Sequence, residues 1–161
     1  MNELAEKAVK LLTEKNLILA TAESCTGGLI AKTITDVSGA SQIFQCGIVA
    51  YANSIKRSVL GVKNETLKKY GAVSEETVRE MSQGAIRISG ADVSIAVSGI
   101  AGPSSDDTNK PVGLIWIAVN CKGNITVKRL DNSFSENVRE SNRNSALTES
   151  LSLLNAVISD Q

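Results

Sequence analysis

The chain has 161 residues, with 17 acidic and 17 basic side chains and a formal net charge of zero. These charges are scattered along the sequence, so no broad cationic surface for nucleic acid or anionic lipid is expected, and a small-molecule partner is favoured. The chain contains no histidine, which excludes a self-contained Ser-His-Asp triad, a Cys-His nucleophile or a histidine-bearing zinc site.

The first half of the chain predicts alternating helices and strands. Apolar residues at helical spacing predict a helix that ends near Asn16, and the apolar run that follows predicts a buried strand over 17–21. A second helix is predicted over 29–37 and a second strand over 43–51. A short helical piece is predicted over 55–60.

The second half predicts a capped helix, three strands and a long final helix. Ser74 precedes two acidic residues and a run of apolar residues at helical spacing, which is typical of a helix N-terminus. Strands are predicted over 92–97, 112–120 and 124–130, the last two as a hairpin, and a helix over 135–158. This order predicts an α/β fold with a mixed β-sheet flanked by helices, a three-layer α/β/α sandwich.

Composition also sets expectations about location and covalent chemistry. The length fits one domain over 1–161. No stretch approaches the roughly 18 apolar residues of a membrane span, and the charged N-terminus differs from a secretory signal, so a cytoplasmic protein is expected. The three cysteines, Cys25, Cys46 and Cys121, have no C-x-x-C spacing, and reduced thiols are expected. No metal site is predicted.

The stretch TAESCTGG, residues 21–28, lies between the first predicted strand and the second predicted helix. Open α/β sheets usually bind ligands at such turns, where free amides at a helix N-terminus favour an anion or a developing oxyanion. The alternative is a capped turn in which Ser24 or Thr26 holds the helix N-terminus. If a hydroxyl here is a nucleophile, the available bases are a buried lysine, a tyrosine or a carboxylate.

Other residues could complete such a site. Ser98 and Gly99 also follow a predicted strand, although this segment could be turn chemistry alone. Tyr51 and Lys56 lie where the second strand gives way to a helix, although an isolated lysine is usually solvated. Cys25 is a competing nucleophile that would depend on the helix N-terminus to form its thiolate; a buried packing thiol is the alternative.

Five separated stretches, taken in order, resemble the C-terminal domain of the CinA (competence/damage-inducible) family over nearly the whole chain. They read TAESCTGG, FQCGIVAYANSIKRSVLGV, GAVS, VSGIAGP and KPVG. Characterised members of this family are nicotinamide-nucleotide amidases, also called PncC. The resemblance implies hydrolysis of nicotinamide mononucleotide to nicotinate mononucleotide and ammonia in pyridine nucleotide salvage, with no organic cofactor and commonly as a homodimer.

The resemblance also implies roles for particular residues. Ser24 corresponds to the nucleophile, and Lys56 with Tyr51 would manage the proton. The residues that would bind the substrate or its developing negative charge are Thr26, Gly27, Gly28, Ser98, Gly99 and Arg139.

The chain departs from the family pattern in two places. Residues Ser104–Asp107 replace a glycine-rich turn, and the added acids could repel a phosphate or change the shape of the loop. The segment before the last helix is shorter, so the substrate-binding arginine is either Arg139 or Arg143. The larger CinA proteins carry a further N-terminal nucleotide-processing domain, which this chain is expected to lack. An alternative function is therefore a nucleotide-binding or interaction module of the same fold that has lost catalysis.

Overall fold

A mixed five-stranded β-sheet forms the centre of the protein in the computed structural model, which describes residues 2–161. The strands are β1 (Leu19–Glu23), β2 (Phe44–Val49), β3 (Val93–Gly99), β4 (Leu114–Cys121) and β5 (Asn124–Asp131). Their order in the sheet is β2-β1-β3-β4-β5. β1 is parallel to both β2 and β3, whereas β3, β4 and β5 pair antiparallel. The predicted mixed sheet with a terminal hairpin is thus confirmed.

The described part of the chain also forms six α-helices. They are α1 (Glu3–Glu14), α2 (Leu29–Thr35), α3 (Asn53–Ser58), α4 (Asn64–Tyr70), α5 (Glu75–Ser89) and α6 (Val138–Ser159). The sequence predicted all of them except α4, whose residues NETLKKY are too polar to give a helical period. The Ser74 cap is confirmed, because its Oγ accepts a hydrogen bond from the amide of Thr77 at 3.2 Å. Within residues 2–161, no helix has the length and apolarity that a membrane crossing requires.

The two faces of the sheet carry side chains of different size. One face presents large aliphatic residues such as Ile95 and Ile117, which pack with α1, α2 and α6. The other presents alanines such as Ala22 and Ala96, which pack with α5 and the segment after α3. Helices therefore lie on both faces, and the alanine face lets α5 approach the sheet closely.

Observed strand bounds differ from the predicted bounds in a way that matters for the site. β1 ends at Glu23 instead of 21, so Ser24 follows the strand directly. β1 begins at Leu19 instead of 17. The amide of Ile18, just before the strand, donates to the Asp92 carboxylate at 2.9 Å and not to a neighbouring strand. β3 continues to Gly99, so Ser98 lies within the strand instead of after it.

Strand register brings the carboxyl ends of β1, β2 and β3 to one edge of the sheet. Glu23 pairs with Val49 on one side and with Val97 on the other. The residues that follow these strands are therefore level with one another. This is the edge where open α/β sheets bind ligands.

Gly84 in α5 is required by close packing. A Cβ at this position would lie 2.1 Å from the carbonyl oxygen of Leu60. Although alanine normally stabilises a helix by about 1 kcal/mol relative to glycine, we expect Gly84→Ala to lower the free energy of unfolding by about 2 kcal/mol. Urea denaturation measures this, with Gln83→Ala on the exposed face of α5 as the control. Equal stability of Gly84→Ala and the wild-type protein would contradict the packing described here.

Candidate active site

A cavity of about 310 Å³ opens at the edge where β1, β2 and β3 end. Six of the residues singled out from the sequence line it: Ser24, Tyr51, Lys56, Ser98, Gly99 and Arg139. Three others, Thr26, Gly27 and Gly28, do not line it. The sequence therefore identified a group of residues that the fold brings together from β1, β2, β3, α3 and α6.

Ser24 and Lys56 are in direct contact. Lys56 Nζ lies 2.9 Å from Ser24 Oγ and 3.0 Å from the backbone carbonyl oxygen of Tyr51. Lys56 projects from the short helix α3, and only 1% of the residue is exposed. Lys56 is therefore buried and its amine contacts two oxygens. The expectation from sequence that an isolated lysine is solvated does not hold here. The pair has the geometry of a hydroxyl nucleophile with an amine base.

Burial changes the protonation of Lys56. Removing the ammonium group from water lowers the pKa of Lys56 from its ordinary 10.5 to about 8. At that pKa, about a tenth of the lysine is neutral at pH 7 and can accept a proton. The neutral amine can take the proton of Ser24, and the protonated form can later return one to a leaving group.

Tyr51 contributes two separate groups. Its carbonyl oxygen accepts from Lys56, whereas its exposed phenol oxygen accepts a hydrogen bond from Arg139 Nη2 at 2.9 Å. The sequence-based hypothesis gave Tyr51 a part in the proton transfer. In this geometry the carbonyl of Tyr51 orients Lys56. The phenol contacts Arg139 instead of Lys56, so the phenol does not fit a proton-relay role.

Glu23 holds the turn that carries Ser24. Its buried carboxylate accepts four hydrogen bonds at 2.7–3.1 Å, from the hydroxyl of Thr26 and from the amides of Gly28, Ile30 and Ala31. These donors are at the start of α2, where a carboxylate also complements the helix dipole. Glu23 therefore serves as an internal cap, and it is unsuited to act as the base for Ser24.

The same bonds bear on the anion-binding role predicted for Thr26, Gly27 and Gly28. The Gly28 amide donates to Glu23 at 3.0 Å, and the Gly27 amide donates to the carbonyl oxygen of Ser24 at 3.1 Å. The amides of Gly27 and Gly28 are engaged within the turn and the hydroxyl of Thr26 donates to Glu23, so an anion cradle built from these groups does not fit this geometry. The capped-turn alternative describes these three residues better, with Glu23 as the cap in place of Ser24 or Thr26.

Ser98 and Gly99 form the wall of the cavity contributed by β3. The Ser98 hydroxyl donates to the carbonyl oxygen of Ala72 at 2.7 Å and is almost fully buried. Because a hydroxyl has a single proton, Ser98 Oγ can only accept from a ligand. Gly99 has a packing requirement, since a Cβ there would lie 2.6 Å from a side-chain carbon of Ile115.

The structure separates the two candidate arginines. Arg139, in the first turn of α6, lines the cavity and donates to the carbonyl oxygen of Gly102 at 2.7 Å as well as to Tyr51. Arg143 donates to the carbonyl oxygen of Thr26 at 2.8 Å and ties α6 to the turn. Arg139 is therefore the arginine placed to meet a ligand.

Cys25 also lines the cavity, but its environment opposes a nucleophilic role. Burial is the main cause that raises the pKa of the Cys25 thiol from 9.0 to about 11. The thiol is therefore protonated near neutral pH, and the packing-thiol interpretation fits it better than the thiolate.

The cavity wall also contains one residue that the sequence analysis missed and three that it noted only as a departure from the family pattern. Asn53, at the start of α3, and Ser104, Ser105 and Asp106, in the loop between β3 and β4, all line it. The sequence analysis missed Asn53, although it lies between Tyr51 and Lys56 in the quoted stretch FQCGIVAYANSIKRSVLGV, and this position was a usable signal. The loop residues belong to Ser104–Asp107, where the sequence analysis expected the added acids to affect phosphate binding, and the fold places three of them at the cavity.

Comparison with known proteins identifies the fold and family. The sequence profile of the CinA C-terminal domain matches residues 1–158. The chain belongs to the CinA C-terminal domain family. Among CinA relatives, a CinA-like protein from Akkermansia muciniphila is 56% identical over 122 residues, which is 75% of this chain and 30% of that protein. A CinA-like protein from Thermotoga maritima is 46% identical over 126 residues, 78% of this chain and 31% of that protein. The chain thus spans about a third of the length of the curated relatives that it matches.

Solved CinA structures match the whole fold. A CinA superfamily protein from Klebsiella pneumoniae has a TM-score of 0.94 at 33% identity, and the match covers 100% of both chains. A competence/damage inducible protein from Agrobacterium tumefaciens has a TM-score of 0.89 at 39% identity, and covers 96% of this chain and 93% of that one. The α/β architecture predicted from the sequence is therefore that of the CinA superfamily.

Replacing Lys56 tests the cost of burying its charge. A lowered lysine pKa means that the folded state disfavours the ammonium; this cost is fully present below about pH 8 and disappears as the pH rises to 10.5. We expect Lys56→Met to raise the free energy of unfolding at pH 7 by about 2 kcal/mol, less than the full shift implies because the cavity opens to water. The gain should shrink between pH 8 and 10.

Urea denaturation at pH 7 and at pH 10 measures the difference in the free energy of unfolding between Lys56→Met and the wild-type protein. Lys68→Met, at an exposed position of α4, is the matched control and should change stability little at either pH. A Lys56→Met protein that is less stable than the wild-type protein at pH 7 would contradict the assigned cost of burial.

Proposed function

We propose that this chain is a nicotinamide-nucleotide amidase, which hydrolyses the carboxamide of nicotinamide mononucleotide to nicotinate mononucleotide and ammonia. The observation that carries the proposal is the 2.9 Å contact between Ser24 Oγ and the buried Lys56 Nζ at a cavity. The resemblance to characterised members of the CinA family supplies the substrate. Ser24 is the nucleophile and Lys56, in direct contact with it, is the base.

In the first step, Ser24 attacks the carboxamide carbon. Its Oγ–H proton passes to the neutral amine of Lys56 as the new C–O bond forms, giving a tetrahedral intermediate. The C–N bond then breaks and Lys56 returns the proton to the departing nitrogen. Ammonia leaves, and the acyl group is held as an ester on Ser24.

In the second step, a water molecule hydrolyses this ester. Lys56 accepts a proton from the attacking water, and the proton then goes to the departing oxygen of Ser24. Nicotinate mononucleotide and the free serine result. Because one amine serves as base and acid in turn, a pKa near neutrality is favourable for both directions of transfer.

Two further residues would position the substrate. Ser98 Oγ, which already donates to Ala72, is limited to accepting, and the NH₂ group of a carboxamide offers the matching donors. Arg139 uses two of its N–H groups on Gly102 and Tyr51, and its charge and remaining donors suit an anionic group of the nucleotide. These contacts would place the carboxamide at Ser24 and the phosphate toward α6.

Removing the nucleophile is the direct test of this proposal. We expect the wild-type protein to release ammonia from nicotinamide mononucleotide, and Ser24→Ala to lower kcat by about three orders of magnitude or more, because no other group replaces the hydroxyl. A coupled ammonia assay measures both. Cys25→Ala is the matched control, since it removes the adjacent thiol, and it should retain most of the activity.

Two results would contradict the assignment. Full activity of Ser24→Ala would exclude this serine as the nucleophile. Binding of the nucleotide by calorimetry without ammonia release from the wild-type protein would favour the non-catalytic binding module.

The pH dependence of the reaction tests the role of Lys56. Because the neutral amine is the active form of the free enzyme, kcat/KM should rise about tenfold per pH unit below the pKa and level off above about pH 8. Ammonia release measured from pH 6.5 to 9.5 gives the profile, and above pH 6.5 the substrate phosphate is already mostly doubly charged. A flat profile across this range would exclude Lys56 as the base.

A further inference from the structure

One carboxylate faces the cavity that holds Ser24 and Lys56, and the reaction leaves it unused. Asp106 lies in the loop between β3 and β4 and lines the cavity together with Ser104 and Ser105. Of the charged residues that line this cavity, it is the acidic one, whereas Lys56 and Arg139 are basic. It therefore contributes the negative charge that an incoming ligand meets in this cavity.

The loop holds Asp106 in a defined orientation. Its Oδ1 accepts a hydrogen bond from the amide of Thr108 at 2.9 Å and another from the Thr108 hydroxyl. Further along the loop, Lys110 Nζ donates to the carbonyl oxygens of Tyr70 and Val73 at 2.5 and 2.6 Å. The loop is thus tied to the segment between α4 and α5. Both bonds to Asp106 use Oδ1, which leaves Oδ2 to meet a ligand.

The Asp106 carboxylate interacts differently with the ribose and with the phosphate of a nucleotide. Ribose hydroxyls are donors that a carboxylate accepts well, and the adjacent serine hydroxyls can pair with them too. A phosphate, in contrast, is repelled by the carboxylate, which offsets part of its attraction to Arg139. The cavity wall at Asp106 therefore suits a ribose hydroxyl better than a phosphate.

We propose that Asp106 is a specificity-determining residue that weakens the binding of a 5′-phosphate and accepts hydrogen bonds from ribose hydroxyls. This inference rests on the proposed amidase function and names the residue that sets its preference between the nucleotide and the nucleoside. Asp106 touches the sugar or phosphate portion and takes no part in the bond-breaking steps at Ser24.

The substitution Asp106→Asn isolates the charge. Asparagine keeps an Oδ1 acceptor for Thr108 and can still bind a hydroxyl, but it no longer repels phosphate. Asp107→Asn is the matched control, because it removes the same charge from the neighbouring position, which does not line the cavity. A long-range effect of net charge would alter both variants equally, whereas a local contact would alter only the first.

The experiment compares kcat/KM for ammonia release from nicotinamide mononucleotide and from nicotinamide riboside in the wild-type protein and both variants. We expect Asp106→Asn to shift the ratio toward the nucleotide by about tenfold, the size of one like-charge contact near a protein surface. Asp107→Asn should leave the ratio within about twofold. An unchanged ratio in Asp106→Asn, or the same shift in both variants, would overturn the proposal.

Binding of the two products, nicotinate mononucleotide and nicotinate riboside, separates this proposal from the amidase function. Calorimetry gives the ratio of their Kd values without any turnover. If the wild-type protein releases no ammonia from either substrate, the amidase proposal fails, and the Kd ratio still decides the role of Asp106. A shift of the Kd ratio in Asp106→Asn alone supports that role, and equal ratios in all three proteins refute it.

Discussion

The burial of one amine, that of Lys56, is the constraint on which the rest of the site depends. A lysine with 1% of its surface exposed is costly to keep charged, and this cost brings its pKa down to about 8. The two oxygens that face its amine, from Ser24 and from the backbone of Tyr51, come from the ends of two neighbouring strands. A solvated lysine at the same position would be fully protonated at neutral pH and could not serve as a base.

The sheet and α2 fix the other half of this contact. Ser24 follows β1 directly, and its amide donates to the carbonyl oxygen of Val97 in β3 at 3.0 Å. Glu23, one residue earlier, holds the start of α2 through four hydrogen bonds. Ser24 is therefore held between a parallel strand pair and a capped helix, and its position does not depend on a flexible loop.

Much of the fold could be predicted from the sequence, because strand and helix periods and turn residues are local signals. The position of Ser24, between a strand and a helix, could be predicted in the same way. The helix α4 could not, since its polar residues carry no period. Position after the second strand made Lys56 a candidate and the family resemblance gave it a role, but its burial depends on how α3 packs and could not be predicted. Two further contacts depend on the direction of the backbone, which composition does not encode. The carbonyl of Tyr51, and not its phenol, accepts from Lys56. The amides at the start of α2 donate to Glu23.

The central claim is that Lys56 activates Ser24, and covalent labelling with a serine-directed fluorophosphonate tests it without reference to any substrate. Peptide mapping identifies the labelled residue, and intact-mass measurements from pH 6.5 to 9.5 give the rate. The account predicts a single label on Ser24, with a rate that rises with pH and levels off near pH 8, and no label in Lys56→Met. Labelling of another residue, or a rate at Ser24 that is the same in Lys56→Met, would contradict it.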